Sequence, residues 1–161
     1  MCSSDLGEAA EALGRLGTDA ELQLLQNHTT DGLRWAALKG LGECMRLESA
    51  KTLAQLLAQQ PADADDVARA LGNVASSWGW AALERSGKAS AAQGLDVRTV
   101  AAKALLAAYA WASPATRTVI GQSLQMAEHP DTQLWLQQAQ AQGSPQLKSA
   151  YSTLAGQLKG K

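Results

Sequence analysis

The chain has 161 residues and carries 14 Lys+Arg against 15 Asp+Glu, a formal net charge of −1. That length suits one domain burying about 70% of its unfolded surface, and the charge balance excludes a strongly basic nucleic-acid glove and an acidic solvating tail. Hydrophobic residues make up 46%, largely Ala and Leu, with Ile120 the only isoleucine and no Phe, a poor supply for strands and a good one for helices.

The first elements are unusual. Met1 to Leu6 offers neither a basic region nor an apolar run, so it does not read as a signal peptide. Cys2-Ser3-Ser4-Asp5-Leu6 resembles the translated end of a common short-read sequencing adapter. Residues 1–7 are therefore expected to be a non-native or disordered start, with a native frame entering near Gly7 from further upstream.

Helical patterns then run to the other end. A leading helix is expected at 8–16. Pairs are expected at 19–28 with 32–45, 48–60 with 64–77, and 79–87 with 96–112, with a last group at 114–128, 131–141 and 145–159. After Asp96 the apolar positions Val97, Val100, Ala101, Ala104, Leu105 and Ala108 form a helical stripe. Asp31, Asp65, Asp66 and Asp96 stand where helix starts are expected, and Ser113-Pro114 and Ser144-Pro145 read as an N-cap followed by the first helical position. Residues 86–95 read as a longer loop. The longest apolar stretch, Ala101 to Ala112, is interrupted by Lys103 and too short to span a bilayer.

The chain repeats itself. Ala12-Leu13-Gly14-Arg15-Leu16-Gly17 returns as Ala37-Leu38-Lys39-Gly40-Leu41-Gly42, and again as Ala70-Leu71-Gly72-Asn73-Val74-Ala75, with Ala104-Leu105 in a comparable setting. Ala-Leu pairs at 12, 37, 70 and 104 give steps of 25, 33 and 34 residues, sizes that suit one helix pair per repeat. Small side chains at the repeated positions let helices approach closely while the Leu faces are buried.

Asp followed by Arg, alanines and an Ala-Leu-x-x-Leu-Gly run resembles the second helix of a HEAT-like repeat. The short Ala/Gly-rich variety, similar to repeats in bilin lyase-type and related bacterial proteins, fits best. The match covers about residues 8–112; it departs from the pattern at Ala68, where Arg is expected, and at Trp78-Gly79-Trp80. The resemblance implies an all-α solenoid of about four HEAT-like helix pairs, with 113–161 as divergent helices capping the C-terminal end. It implies binding or scaffolding, and lyase chemistry only in some members.

Candidate sites follow. Arg34, Arg69 and Arg98 can be read as a ladder gripping an acidic partner, or as pairing with Asp31, Asp66 and Asp96; the pairing is the expectation. Trp78 and Trp80 can anchor a partner, while Trp35 and Trp111 read as core bulk. His28 and His129 sit at helix ends, where they can cap carbonyls. Cys44 reads as a small buried hydrophobe. Glu8, Glu11, Asp63, Asp65 and Asp66 read as helix-start acids, and six glutamines between Gln133 and Gln146 (133, 137, 138, 140, 142, 146) as a solvated face.

No catalytic, cofactor or metal motif is found. The expected function is a non-catalytic protein-binding scaffold or regulatory module, the C-terminal part of a longer repeat protein. The alternatives are an accessory domain of a larger enzyme, or a bilin lyase-like or chaperone role. A protein partner is expected, with no nucleic acid and no membrane. The candidate contact residues are Trp78, Trp80, Arg34, Arg69 and Arg98.

Overall fold

The computed structural model describes residues 3–159. These are all-helical, with no strand among them: α1 (Ser3–Leu16), α2 (Asp19–Asn27), α3 (Arg34–Glu43), α4 (Leu47–Ala58), α5 (Ala64–Val74), α6 (Ser77–Arg85), α7 (Ala91–Tyr109), α8 (Pro114–Ala127), α9 (Thr132–Gln142) and α10 (Pro145–Lys159). Residues 1 and 2 of the expected irregular start lie outside the described residues; from Ser3 onward that start is the first turn of α1.

Contacts sort the helices into two sets. One set runs α1, α3, α5, α8 and α10, each packed on the next. In the other, α2 packs on α1 and α3, α4 on α3 and α5, and α7 on α5 and α8, while α9 packs on α10. The short α6 stands outside both sets, against α7 and the end of α8.

Two expectations need correction here. Helix α7 begins at Ala91, not 96, because Ser90 and Gln93 form a reciprocal capping box: Gln93 N–H donates to Ser90 Oγ at 3.1 Å, and Ser90 N–H to Gln93 Oε1 at 2.8 Å. The long loop over 86–95 therefore shrinks to 86–90. In the third expected pair, 79–87 with 96–112, α6 does pack on α7, but α7 also packs on α4, α5 and α8. In α8, Ile120 is fully buried beside Gly121.

The repeated glycines mark where the first set of helices come close. A methyl group added to Gly40 of α3 would lie 2.6 Å from the Ala10 carbonyl oxygen of α1. One added to Gly72 of α5 would lie 2.7 Å from Ser123 Cβ of α8. At that crossing Ser123 Oγ donates to the Ala68 carbonyl at 2.9 Å, so a buried hydroxyl is satisfied where the backbones nearly touch. Leu41, Leu53, Leu57, Leu71, Leu105, Ile120 and Leu136 fill the core. Cys44 joins them fully buried, and burial pushes its thiol up, keeping it protonated.

The expected Pro-start helices are observed. Ser113 Oγ accepts from Thr116 N–H at 3.2 Å ahead of Pro114, and Ser144 Oγ accepts from Leu147 N–H at 3.3 Å ahead of Pro145.

Candidate functional site

The two tryptophans of the Trp-Gly-Trp motif part company. Both start α6, two residues apart, so the helix points them in different directions. Trp80 is 7% exposed and its indole N–H donates to the Val74 carbonyl at 2.8 Å, which ties α6 to the end of α5. Trp78 is 82% exposed. Gly79 between them lies against Met45, where an added methyl would come within 3.0 Å of Met45 Cε. Ser76 starts the helix, its Oγ accepting from Gly79 N–H at 3.1 Å.

Beside α6 runs a groove. Its upper part, about 410 Å³, is lined by Met45, Gly79, Leu83 and Met126 with Asn73 and Ser76. It continues into a trough of about 580 Å³ that shares Arg15, Glu43, Met45 and Leu83 and is walled by Trp80, Lys88 and Asp96. The C-terminal ends of α1, α3, α5 and α8 all reach this groove, through Arg15, Glu43, Asn73 and Met126. Helix C-termini carry partial negative charge, which Arg15, Arg46 and Lys88 around the trough complement. With Glu43, Glu48 and Asp96 opposite them, the charged rim is balanced.

The arginines do something else. Arg34 lies on the start of α3 and reaches forward to the turn before α5: its Nε and Nη2 donate to Asp63 Oδ2 and Oδ1 at 2.7 and 2.9 Å, while Nη1 donates to the Thr29 carbonyl at 2.9 Å. The partner is Asp63, not Asp31; Asp31 instead accepts from Leu33 N–H at 2.8 Å and pairs with His28 at 2.7 Å, which holds its carboxyl below the usual range. Among the described residues Arg98 pairs with no carboxylate; it donates to the Ala127 and Glu128 carbonyls at 2.7 and 2.6 Å, closing the end of α8. Only Arg69 pairs as expected, with Asp66 at 3.0 Å on an exposed face. Each of the three is held by local partners, and none lines the groove beside α6.

Arg46 and Arg117 repeat this carbonyl-closing role. Arg46 donates to the Gly17 carbonyl at 3.2 Å and pairs with Asp19 at 2.8 Å; Arg117 donates to the Tyr109 carbonyl at 2.9 Å, over the Tyr109 ring. His129 is not an end cap either. It is 7% exposed, accepts at Nδ1 from Asp131 N–H at 3.0 Å, meets Thr99 Oγ1 through Nε2 at 2.7 Å, and stacks on Trp135 at 4.5 Å. Trp35 and Trp111 are half-buried at the edge of the core, Trp35 beneath Lys39.

The groove residues missed in the sequence are Met45, Leu83, Met126 and exposed Leu16. Met45 and Met126 are two of only three methionines in the chain. Methionine is a flexible apolar contact residue suited to adaptable binding surfaces, and that scarcity was a usable signal. Chemically the groove offers apolar contact with a charged rim, and no cluster of His, Cys, Asp and Glu fit for a metal occurs among the described residues. Comparison with protein-family models, curated proteins and solved structures finds no match.

Proposed function

We propose that this chain is a protein-binding module built as a short α-solenoid of HEAT-like helix pairs, with α1, α3, α5, α8 and α10 as one row and α2, α4, α7 and α9 as the other. It holds a peptide segment of its partner at α6, with exposed Trp78 as the aromatic anchor and Met45, Leu83 and Met126 offering an apolar floor in the groove beside that helix. The observation that carries the reading is the exposure of Trp78, 82% in a chain whose other tryptophans are buried or half-buried. Trp is among the residues enriched at interaction hot spots, where its large apolar ring can be buried by a partner. Arg34 and Arg98 are engaged within the fold and Arg69 pairs with Asp66 on an exposed face away from the groove lining, so none of the three is assigned to the partner.

The test pans a displayed library of random peptides against the folded chain and against Trp78→Ala. Enriched peptides are expected to bind the wild type and to lose at least tenfold in affinity on Trp78→Ala, and Met126→Ala is expected to weaken them several-fold. Peptides that bind both proteins equally, or an empty selection, would overturn the reading.

A further inference from the structure

The turn between α8 and α9 is closed at a cost. Glu128, the residue that ends α8, is held at φ 45° and ψ 41°, a left-handed conformation that side-chain-bearing residues adopt under constraint. Thr132, the first residue of α9, is 6% exposed, and its Oγ1 is shielded from solvent without a hydrogen-bond partner among the described residues. A hydroxyl in that state is better off in water. Beside both runs an open cavity of about 340 Å³ lined by Glu128, His129, Thr132 and Gln133 among others, so the turn has space to move into.

Two side-chain contacts with α7 hold it shut. Arg98 donates to the Ala127 and Glu128 carbonyls, and His129 binds Thr99 through Nε2 at 2.7 Å and the Asp131 N–H through Nδ1 at 3.0 Å. The tautomer follows from the neighbours. The single Thr99 hydroxyl proton goes to the Leu95 carbonyl at 2.8 Å, so Thr99 Oγ1 accepts from Nε2–H and Nδ1 is the bare nitrogen that receives Asp131 N–H. The neutral ring is thus used at both nitrogens.

A proton has no place in this arrangement. Added at Nδ1, it faces the Asp131 N–H, donor against donor, with no acceptor between them. Arg98 and Lys103 of α7 oppose the new charge, while the Asp131 carboxylate favours it and exposed Glu128 shares the cavity. The Trp135 ring stacked on His129 would attract a cation, but Lys103 Nζ already stands 5.2 Å from its centre. Burial outweighs all of these and, with the two cations, holds the ring below its ordinary value.

We infer that His129 is a proton-operated latch: neutral, it pins the α8–α9 turn to α7, and protonated, it lets residues 128–132 swing away while the rest of the helix stack stays folded. The latch stands independently of the Trp78 reading. A released ring titrates near pH 6.5, so the closed form is complete above that pH and is lost as the pH falls below it. The same linkage caps the gain in open population between pH 7.5 and pH 5 at about thirtyfold.

Amide hydrogen exchange of the full chain tests the latch, read as protection factors so that the intrinsic pH dependence of exchange cancels. The reporters are the amides of Glu128, Asp131, Thr132 and Trp135, bonded to Leu124 O, His129 Nδ1, His129 O and Asp131 O. Their protection is expected to fall at least threefold from pH 7.5 to pH 5. Dilute urea is expected to leave it unchanged while lowering protection in α5, because a local opening exposes little new surface. His129→Gln keeps a donor and an acceptor but takes up no proton, and is expected to hold the four amides level with pH. Nitrogen NMR of the wild-type imidazole gives a second reading that needs no variant: bare Nδ1 at pH 7.5, protonated with a midpoint below pH 6.5. Protection that does not change on acidification, an equal fall in a folded His129→Gln, or urea sensitivity matching that of α5 overturns the latch. So does an Nδ1–H tautomer at pH 7.5 or a midpoint at or above pH 6.5.

Discussion

Four arginines of this chain act on carbonyl oxygens at helix ends. Arg34, Arg46, Arg98 and Arg117 reach Thr29, Gly17, Ala127 and Tyr109, two of them across 29 residues. The guanidinium suits this because its donors fan out in one plane and can serve an acid and a carbonyl together. Arg34 does both. Its pair with Asp63 is partly buried and bidentate, so Arg34→Ala is expected to lower stability by about 1–2 kcal/mol. A double-mutant cycle with Asp63→Ala, followed by urea unfolding, is expected to return most of that as coupling. Arg69→Ala removes an exposed pair and is expected to change stability by less than about 0.5 kcal/mol. Similar losses for Arg34→Ala and Arg69→Ala would contradict the assignment.

His129 carries a pH dependence. Burial is the main cause holding it below its ordinary value; Arg98 and Lys103 lower it too, while Asp131 opposes them. Its Nδ1 accepts from Asp131 N–H, so the folded chain binds the neutral ring and takes up a proton less readily than the unfolded chain. The stability contributed by neutral His129 is therefore complete above about pH 6.5 and lost as the pH falls below it. Urea midpoints are expected to drop between pH 7 and pH 5, and the drop is expected to shrink in His129→Gln. Fluorescence of Trp135, stacked on the ring, is expected to fall over the same interval in the wild type.

At the scale of elements, the glycines of one repeated motif and one isolated glycine differ in sign. Gly40→Ala puts a methyl against the α1 backbone and the Leu25 side chain, so a cost of about 1–3 kcal/mol is expected despite the gain in helix propensity. Gly156, inside α10, has nothing within 4 Å of an added methyl, and Gly156→Ala is expected to stabilise by about 0.5–1 kcal/mol. Thermal unfolding of the two variants measures both. The repeat Ala-Leu-x-x-Leu-Gly was visible in the sequence for the reason the structure now supplies: backbones cross there, and only short side chains fit. The start of α7 was not read correctly because Asp96 drew attention from Ser90 and Gln93, a capping box three residues apart in plain view.

For the whole molecule, the accessible surface is 8450 Å², against about 7,700 Å² for a compact monomer of this mass. The excess agrees with rows of helices extended in one direction, the proposed solenoid. Small-angle scattering at low concentration is expected to give a radius of gyration above the roughly 15 Å of a compact 161-residue domain. A value at or below that would favour a compact helical bundle over the solenoid.

The all-helical class, most helix limits, the close-packed Gly positions and the burial of Cys44 were settled by composition and periodicity, because they depend on residues within a few turns of one another. Which helices pack together, that Arg34 takes Asp63, and that Met45 and Met126, 81 residues apart, line one groove were decided by tertiary structure alone. The candidate site falls in the second group. Trp78 was legible as a surface candidate, but two tryptophans separated by one glycine look alike until the fold turns one onto the Val74 carbonyl and leaves the other in solvent.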